Sequence, residues 1–275
     1  MTSSEVLTVE KNDHVATLWL DNPERRNAMG PAFWADLPVI MEELSEDDAV
    51  RVVVIAAKGK HFTAGLDLSS MALSAGGGAA DGKRSPASRA ARFLKEVKRL
   101  QGSITSVAEC PKPVIAAVHG ACIGGGVDLI TACDIRLASA DAFFSVRETK
   151  IAIVADVGTL QRLPRVISKG HVAELAFTGK DITAEHAARI GLVNDVLADA
   201  DSLHAAAQAM AAEIAANPPL VVMGTKAVLE ACAGRTVEEG LDYVAVWNAA
   251  FLQSDDLTEA MTAFVEKRPP VYTGR

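Results

Sequence analysis

Positive charge is scarce in this 275-residue chain: 27 lysines and arginines face 35 aspartates and glutamates, leaving a formal charge of −8. A field of that sign repels phosphate backbones and anionic membrane surfaces, so neither nucleic acid nor membrane is an expected partner. A local basic patch for a phosphorylated ligand stays open. Aromatic residues are few (3 Trp, 2 Tyr and 8 Phe), so the core must come from Ala, Val, Ile and Leu. No stretch reaches the roughly 18 uncharged apolar residues of a membrane span. The first ten residues show no basic segment followed by an apolar run, the pattern of a secretory signal. The four cysteines, Cys110, Cys122, Cys133 and Cys232, lack C-x-x-C spacing and sit beside apolar residues. They are expected as reduced, partly buried thiols of an intracellular protein. No repeat of fixed period is present, which disfavours a solenoid.

What is there is globular composition, 49% hydrophobic, in a chain long enough to fold without disulfides or metals. Residues 6–9 and 15–20 flank a four-residue turn and predict a hairpin. A helical pattern runs from Pro31 to about Leu44. Residues 51–56 then form an unbroken apolar strand of the kind buried on both faces. A second buried strand is expected at 114–118 and a third at 134–138, so strands alternate with helices in an α/β chain. Residues 69–88, with Gly76-Gly77-Gly78, read as a mobile loop, followed by a long helix to Glu109. After Lys180 the pattern is almost wholly helical: 184–190, 202–216, 220–233, 237–251 and 257–265.

Two glycine loops follow two buried strands. Gly120-Ala121-Cys122-Ile123-Gly124-Gly125-Gly126 leads into an apparent helix start. It lacks the Lys-Ser/Thr of a P-loop and the spacing of G-x-G-x-x-G. Bare backbone N–H groups at a helix start can instead face a developing oxyanion; the lesser alternative is a tight turn needed for packing. The loop from His61 through Ala64, Gly65, Leu66, Asp67 and Leu68 would meet it at the carboxyl edge of the sheet. Three acids, Asp128, Glu148 and Asp156, lie in largely apolar surroundings. Desolvation and mutual repulsion there raise carboxyl pKa values toward those useful for proton transfer. Each also has a plainer explanation: Asp156 capping a helix from Val157, Asp128 favouring a first helical turn, and Glu148 pairing with Arg147 or Lys150.

The set Asn22-Pro23 through Arg26-Asn27-Ala28-Met29, then residues 62–68, His119-Gly120 through Gly124-Gly125-Gly126, residues 132–136, and Gln161-Arg162-Leu163-Pro164 resembles the crotonase (enoyl-CoA hydratase/isomerase) superfamily. Within it, residues 126–130 and 155–164 look most like the Δ3,5-Δ2,4-dienoyl-CoA isomerases. The resemblance implies an α/β spiral of ββα units over residues 1–198 and a helical trimerisation region over 199–275. It also implies a homotrimer or dimer of trimers, and an acyl-CoA substrate whose coenzyme A is the only cofactor-like group, with no metal. By the family pattern the backbone N–H groups of Leu66 and Gly125 form the oxyanion hole. Ala64, Gly65, Asp67 and Leu68 join them in binding substrate, and Arg25, Arg26, Phe264 and Lys267 resemble the residues that touch CoA.

Hydratases of the family carry Glu at the positions of Asp128 and Glu148 and Gly at that of Asp156. Here one carboxylate is a methylene shorter and another is added farther along the acyl chain, which favours moving a proton between distant carbons over adding water. The expected reaction shifts a 3,5-dienoyl-CoA to the 2,4-dienoyl-CoA, as in fatty-acid β-oxidation. The alternatives are a 2-enoyl-CoA hydratase and, more remotely, an RNA-binding or non-catalytic homologue. The ending Thr273-Gly274-Arg275 is not S-K-L and no mitochondrial presequence is evident, so the expected location is the cytoplasm.

Overall fold

The computed structural model describes residues 3–69 and 85–275. The predicted hairpin is present as β1 (Leu7–Asn12) and β2 (Val15–Leu20), paired in register from Leu7↔Leu20 to Asn12↔Val15. Helix α1 (Pro31–Glu46) opens on a proline at its first turn, where no N–H is needed. It buries Phe33, Trp34, Leu37, Ile40, Met41 and Leu44, the three-and-four spacing of one helix face. β3 (Val52–Ala57) is buried at every residue because it lies between β2 and the parallel β4 (Val114–Val118) and is covered on both faces. Val53, Ile55 and Ala57 face one hydrophobic cluster, while Val52, Val54 and Ala56 face another.

Between these strands, the expected loop at 69–88 lies mostly outside the described residues. Its end is helical: the Ser85 hydroxyl caps the N–H of Ser88, and α2 (Pro86–Ala108) runs from there as predicted. After β4 the chain repeats a pattern. A strand of the large sheet is followed by a short strand of a second sheet and then by a helix or helical turn. β5 (Ala121–Ile123) precedes α3 (Gly125–Thr131). β6 (Ile135–Ser139) precedes β7 (Phe143–Ser145), a single 3₁₀ turn (Glu148–Ile151), α4 (Thr159–Arg162) and α5 (Lys169–Thr178). β8 (Ile182–Thr183), α6 (Ala184–Arg189) and β9 (Asp195–Leu197) follow. The sheets run β1-β2-β3-β4-β6-β9 and β5-β7-β8, so successive units wind into the expected spiral.

The wholly helical reading after Lys180 is corrected by β8 and β9. Strands of two or three residues are too short to show a period of two, and their edges come from the strands beside them. α7 (Ala200–Ala215) lies within the region expected to serve assembly. Yet Leu203, Ala207, Ala211 and Ala215 pack on the large sheet against Val52, Val54 and Ile115. The part standing clear of the core is α8 (Pro219–Ala231), α9 (Val237–Phe251) and α10 (Asp255–Glu266). The four cysteines are free thiols, and burial pushes Cys133 up to about 12.

Candidate active site

The two glycine loops meet. An isolated parallel bridge joins Met29 to Leu66, and a second joins Thr63 to Cys122. In the first, the Met29 N–H donates to Gly65 O (2.8 Å) and its carbonyl accepts from Asp67 N–H (3.2 Å). Those bonds use the residues flanking Leu66, so the Leu66 amide faces the opposite side. Gly125 is the first residue of α3, and its N–H has no intrahelical acceptor. Gly65, at φ +82, is needed for this approach: a Cβ there would stand 2.5 Å from Ile123 O and 3.6 Å from Gly125 N. Leu66 and Gly125 therefore line one cavity, of about 130 Å³, with Ala64, Gly65 and Leu68.

Asn27, which the motif contained but residue-type reasoning did not single out, ties these loops. Its amide donates to Lys58 O (2.9 Å) and His61 O (2.8 Å) and accepts from Asn22 N–H (2.8 Å). Thr63 adds a bond to Asn27 O (2.6 Å) and accepts from Gly65 N–H (3.0 Å). A buried side chain with so many backbone partners has no periodic signature.

All three carboxylates line the same cavity. Asp128 stands three residues after Gly125, on the same face of α3. It is fully buried. One oxygen accepts from Thr159 N–H (2.5 Å), and the other has no partner among the described residues. Burial pushes its carboxyl up to about 7; the charge of Glu148 adds to the shift, while the Thr159 bond and Arg162 oppose it. Asp128 thus satisfies the opening of α4, the role considered for Asp156. Asp156 is not the cap because α4 begins two residues later than expected, with Gly158 at its N-cap.

Glu148 is placed by strand register. Pairing of β5 with β7, ending at Ile123↔Ser145, and the Gly124 N–H to Ser145 O bond (2.9 Å) set the turn after β7 against the glycine loop. A methyl on Gly124 would come within 3.3 Å of Glu148 Oε1. Glu148 does not pair with Arg147 or Lys150. Arg147 instead pairs with Asp181, and Glu148 Oε2 is buried without a partner among the described residues. Burial raises the Glu148 pKa, with the charge of Asp156 adding to it, and burial raises that of Asp156 as well. Trp34, Leu100, Ile151, Ile153 and Val157 supply apolar walls that sequence reasoning did not assign.

Some expected ligand residues lie elsewhere. Asp67 is buried and does not line the cavity: it pairs with Arg25 (3.1 Å) and accepts from Ser69 N–H (3.1 Å), bracing the loop from behind. Extended neighbours point to opposite sides, so Leu66, in the bridge to Met29, cannot share a face with Asp67. Arg25 also donates to Ser69 Oγ (2.7 Å). Arg26 is exposed beside the same loop, its carbonyl accepting from Ala64 N–H (2.9 Å). Phe264, 84% exposed, and Lys267, which ends α10 in a left-handed conformation, are absent from the residues lining the cavity.

The cavity brings Leu66 and Gly125 of the two glycine loops together with three carboxylates between apolar walls. Such a site can move protons along a conjugated thioester. The chain matches the family model described as enoyl-CoA hydratase/isomerase over residues 10–275. It is 46% identical, over 99% of its length and 92% of the relative's, to a Dictyostelium discoideum protein named Delta(3,5)-Delta(2,4)-dienoyl-CoA isomerase, mitochondrial. An Arabidopsis thaliana protein of the same name, marked peroxisomal, is 42% identical over 98% of this chain and 96% of its own. The crystal structure of an enoyl-CoA hydratase from Bacillus anthracis superposes with a TM-score of 0.88 at 30% identity, covering 98% of this chain and all of that one. The mitochondrial and peroxisomal designations of these relatives overturn the expected cytoplasmic location. Compartment is set by address segments read by receptors, not by the folded body of the enzyme, so the fold and the cavity say nothing of it. With the family model matching nearly the whole chain and the spiral fold and paired glycine loops in place, the protein belongs to the enoyl-CoA hydratase/isomerase family.

Proposed function

We propose that the protein is a Δ3,5-Δ2,4-dienoyl-CoA isomerase. The observation that carries the reading is Asp156, a third acid in the cavity that already contains Asp128, Glu148, Leu66 and Gly125. The names of relatives at 42–46% identity support it. In this mechanism Glu148 takes a proton from C2. The C2–H electrons form C1=C2, and the thioester oxygen becomes an anion held by the Leu66 and Gly125 N–H groups. Collapse of that enolate restores C=O, forms C2=C3 and C4=C5, and draws a proton from Asp156 to C6. Glu148 ends protonated and Asp156 ionised, and exchange with solvent resets the pair. The shift is redox-neutral and consumes no water, so the chemistry calls for no cofactor beyond the coenzyme A of the substrate. Asp128 orients or electrostatically tunes the pair, and the charge of Glu148 in turn helps to hold the Asp128 carboxyl up.

The test is an ultraviolet assay of the purified protein with a 3,5-dienoyl-CoA and, separately, a 2-enoyl-CoA. Growth of the conjugated 2,4-dienoyl chromophore is expected. Loss of the enoyl chromophore without dienoyl formation would identify a hydratase instead.

The assembly proposed is a trimer or a dimer of trimers built through α8, α9 and α10. Val221, Leu229, Leu241, Val246, Phe264 and Val265 are each more than half exposed there, more apolar surface than a monomer ordinarily leaves in one region. In such an assembly Phe264 and Lys267 would reach the CoA of a neighbour, while Arg25 and Arg26 would serve the CoA phosphates beside their own cavity. Light scattering should give three or six times the 28.9 kDa chain mass. A monomer at micromolar concentration would contradict this.

A further inference from the structure

Behind the catalytic cavity, on the far wall of the turn that carries Asp156, lies a second and broader depression of about 1130 Å³. It contains none of the three carboxylates. Val157 lines both spaces, so this turn lies between them. A short irregular segment of that kind has few interactions of its own to hold a carboxylate in place.

Three side chains grip it from the rear. Gln101 on α2 donates its amide to Asp156 O (2.6 Å). Thr105, one turn later on the same face of α2, accepts from Arg162 Nη2 (2.9 Å). Arg162 in turn donates from Nη1 to Val157 O (3.3 Å). The guanidinium lies over Gly158, which has φ +140, so closely that a Cβ there would stand 1.8 Å from Nη1. The next residue, Thr159, gives its N–H to Asp128. The turn is thus fixed at consecutive carbonyls by α2, directly and through Arg162, and at its end by Asp128. Leu100, the neighbour of Gln101, faces the catalytic cavity itself. One helix therefore walls the acyl slot and holds the turn.

We propose that Gln101, Thr105 and Arg162 are positioning residues that set the distance between Asp156 and Glu148, and with it the enzyme's ability to deliver a proton at the far carbon. The inference rests on the isomerase reading and on the role of Asp156 as the acid in that reaction. The three groups touch no reacting atom. They fix the backbone from which Asp156 projects, and a misplacement on the order of 1 Å at such a group costs up to about 10²-fold in rate.

Gln101→Met removes the bond to Asp156 O at similar volume, and Thr105→Val removes the hydroxyl that orients Arg162. Each should lower kcat for 3,5-dienoyl-CoA by on the order of 10- to 10²-fold with KM within about twofold. Thr105→Ser, which keeps the hydroxyl, should restore it. The pH profile separates positioning from general weakening of the fold. Burial holds the Asp156 pKa up; the charged groups that share its cavity are Glu148, Arg147 and Asp128, and Arg162 on α4 holds the next carbonyl. A loosened turn admits water, the pKa falls toward its ordinary value, and the alkaline limb of kcat moves to lower pH. In an Asp156→Asn background, Gln101→Met should cost nothing further. An unchanged kcat and alkaline limb in both Gln101→Met and Thr105→Val, or an equal loss with and without Asp156, would overturn the clamp alone. Full activity of Asp156→Asn by itself would overturn the clamp together with the acid role on which it rests.

Discussion

Glu148→Gln should lower isomerase turnover on the order of 10²- to 10⁴-fold while leaving the protein folded, and Asp156→Asn should do the same. The two failures should differ in kind. Glu148 lies against Gly124, beside the amides proposed to hold the thioester oxygen, so its loss removes the first step. No enolate forms, and C2 of a 3,5-dienoyl-CoA should exchange no hydrogen with deuterated water. Asp156 acts only after the enolate exists. Its amide variant should still exchange deuterium at C2, because the protonated Glu148 trades its proton with solvent and returns deuterium to the carbon, while the 2,4-diene stays absent. Mass spectrometry of recovered substrate distinguishes the cases. Exchange lost in Asp156→Asn and kept in Glu148→Gln would reverse the two assignments. Neither substitution removes a hydrogen bond that holds the fold, because Glu148 Oε2 is unpartnered among the described residues and Asp156 is anchored through its backbone carbonyl.

The second large effect is on stability. Asp128 has its carboxyl pushed up to about 7 from 3.8, chiefly by burial. At any pH between those values the folded protein holds a proton that the unfolded chain has released, so stability falls as pH rises through that window and levels off above it. A shift of that size corresponds to on the order of 4 kcal/mol at neutral to alkaline pH. Asp128→Asn removes the titration, and its side-chain oxygen can still accept from Thr159 N–H. The variant should therefore match the parent near pH 4 and exceed it by a few kcal/mol at pH 8, as read from urea midpoints. Parallel stability curves for the two proteins would show that the Asp128 charge is not the cost. A protein keeps such a group when activity needs it, the usual trade between a strained site and a stable one. Asp128→Asn should accordingly be a slower enzyme as well as a more stable one.

The long elements could be read directly from the chain. β3 announces itself because six consecutive residues bury both faces, and α1 because its apolar residues recur at three and four. β5, β7, β8 and β9 could not be read this way. Each is two or three residues long and exists because a neighbour supplies its edge: β5 lies along β7, and β9 along β6. Asp67 shows the same limit at the level of one side chain. It sits in the loop that holds Leu66 and Leu68, but alternation turns it to Arg25 and away from the cavity.

The order of residues by itself determined the α/β class, the two glycine loops after buried strands, and three acids in apolar surroundings, because periodicity, backbone freedom and local polarity are local properties. It could not say that the acids share one cavity. Asp128 and Asp156 are separated by two strands and a turn, and they converge only because β7 pairs with β5 and α4 opens on the Asp128 carboxylate. Nor could it show that Gln101, more than fifty residues before Asp156, holds the carbonyl of that residue. Burial, mutual repulsion and bracing are sums over neighbours distant in the chain, so they belong to the tertiary structure. They also decide which of three unremarkable carboxylates titrates near pH 7.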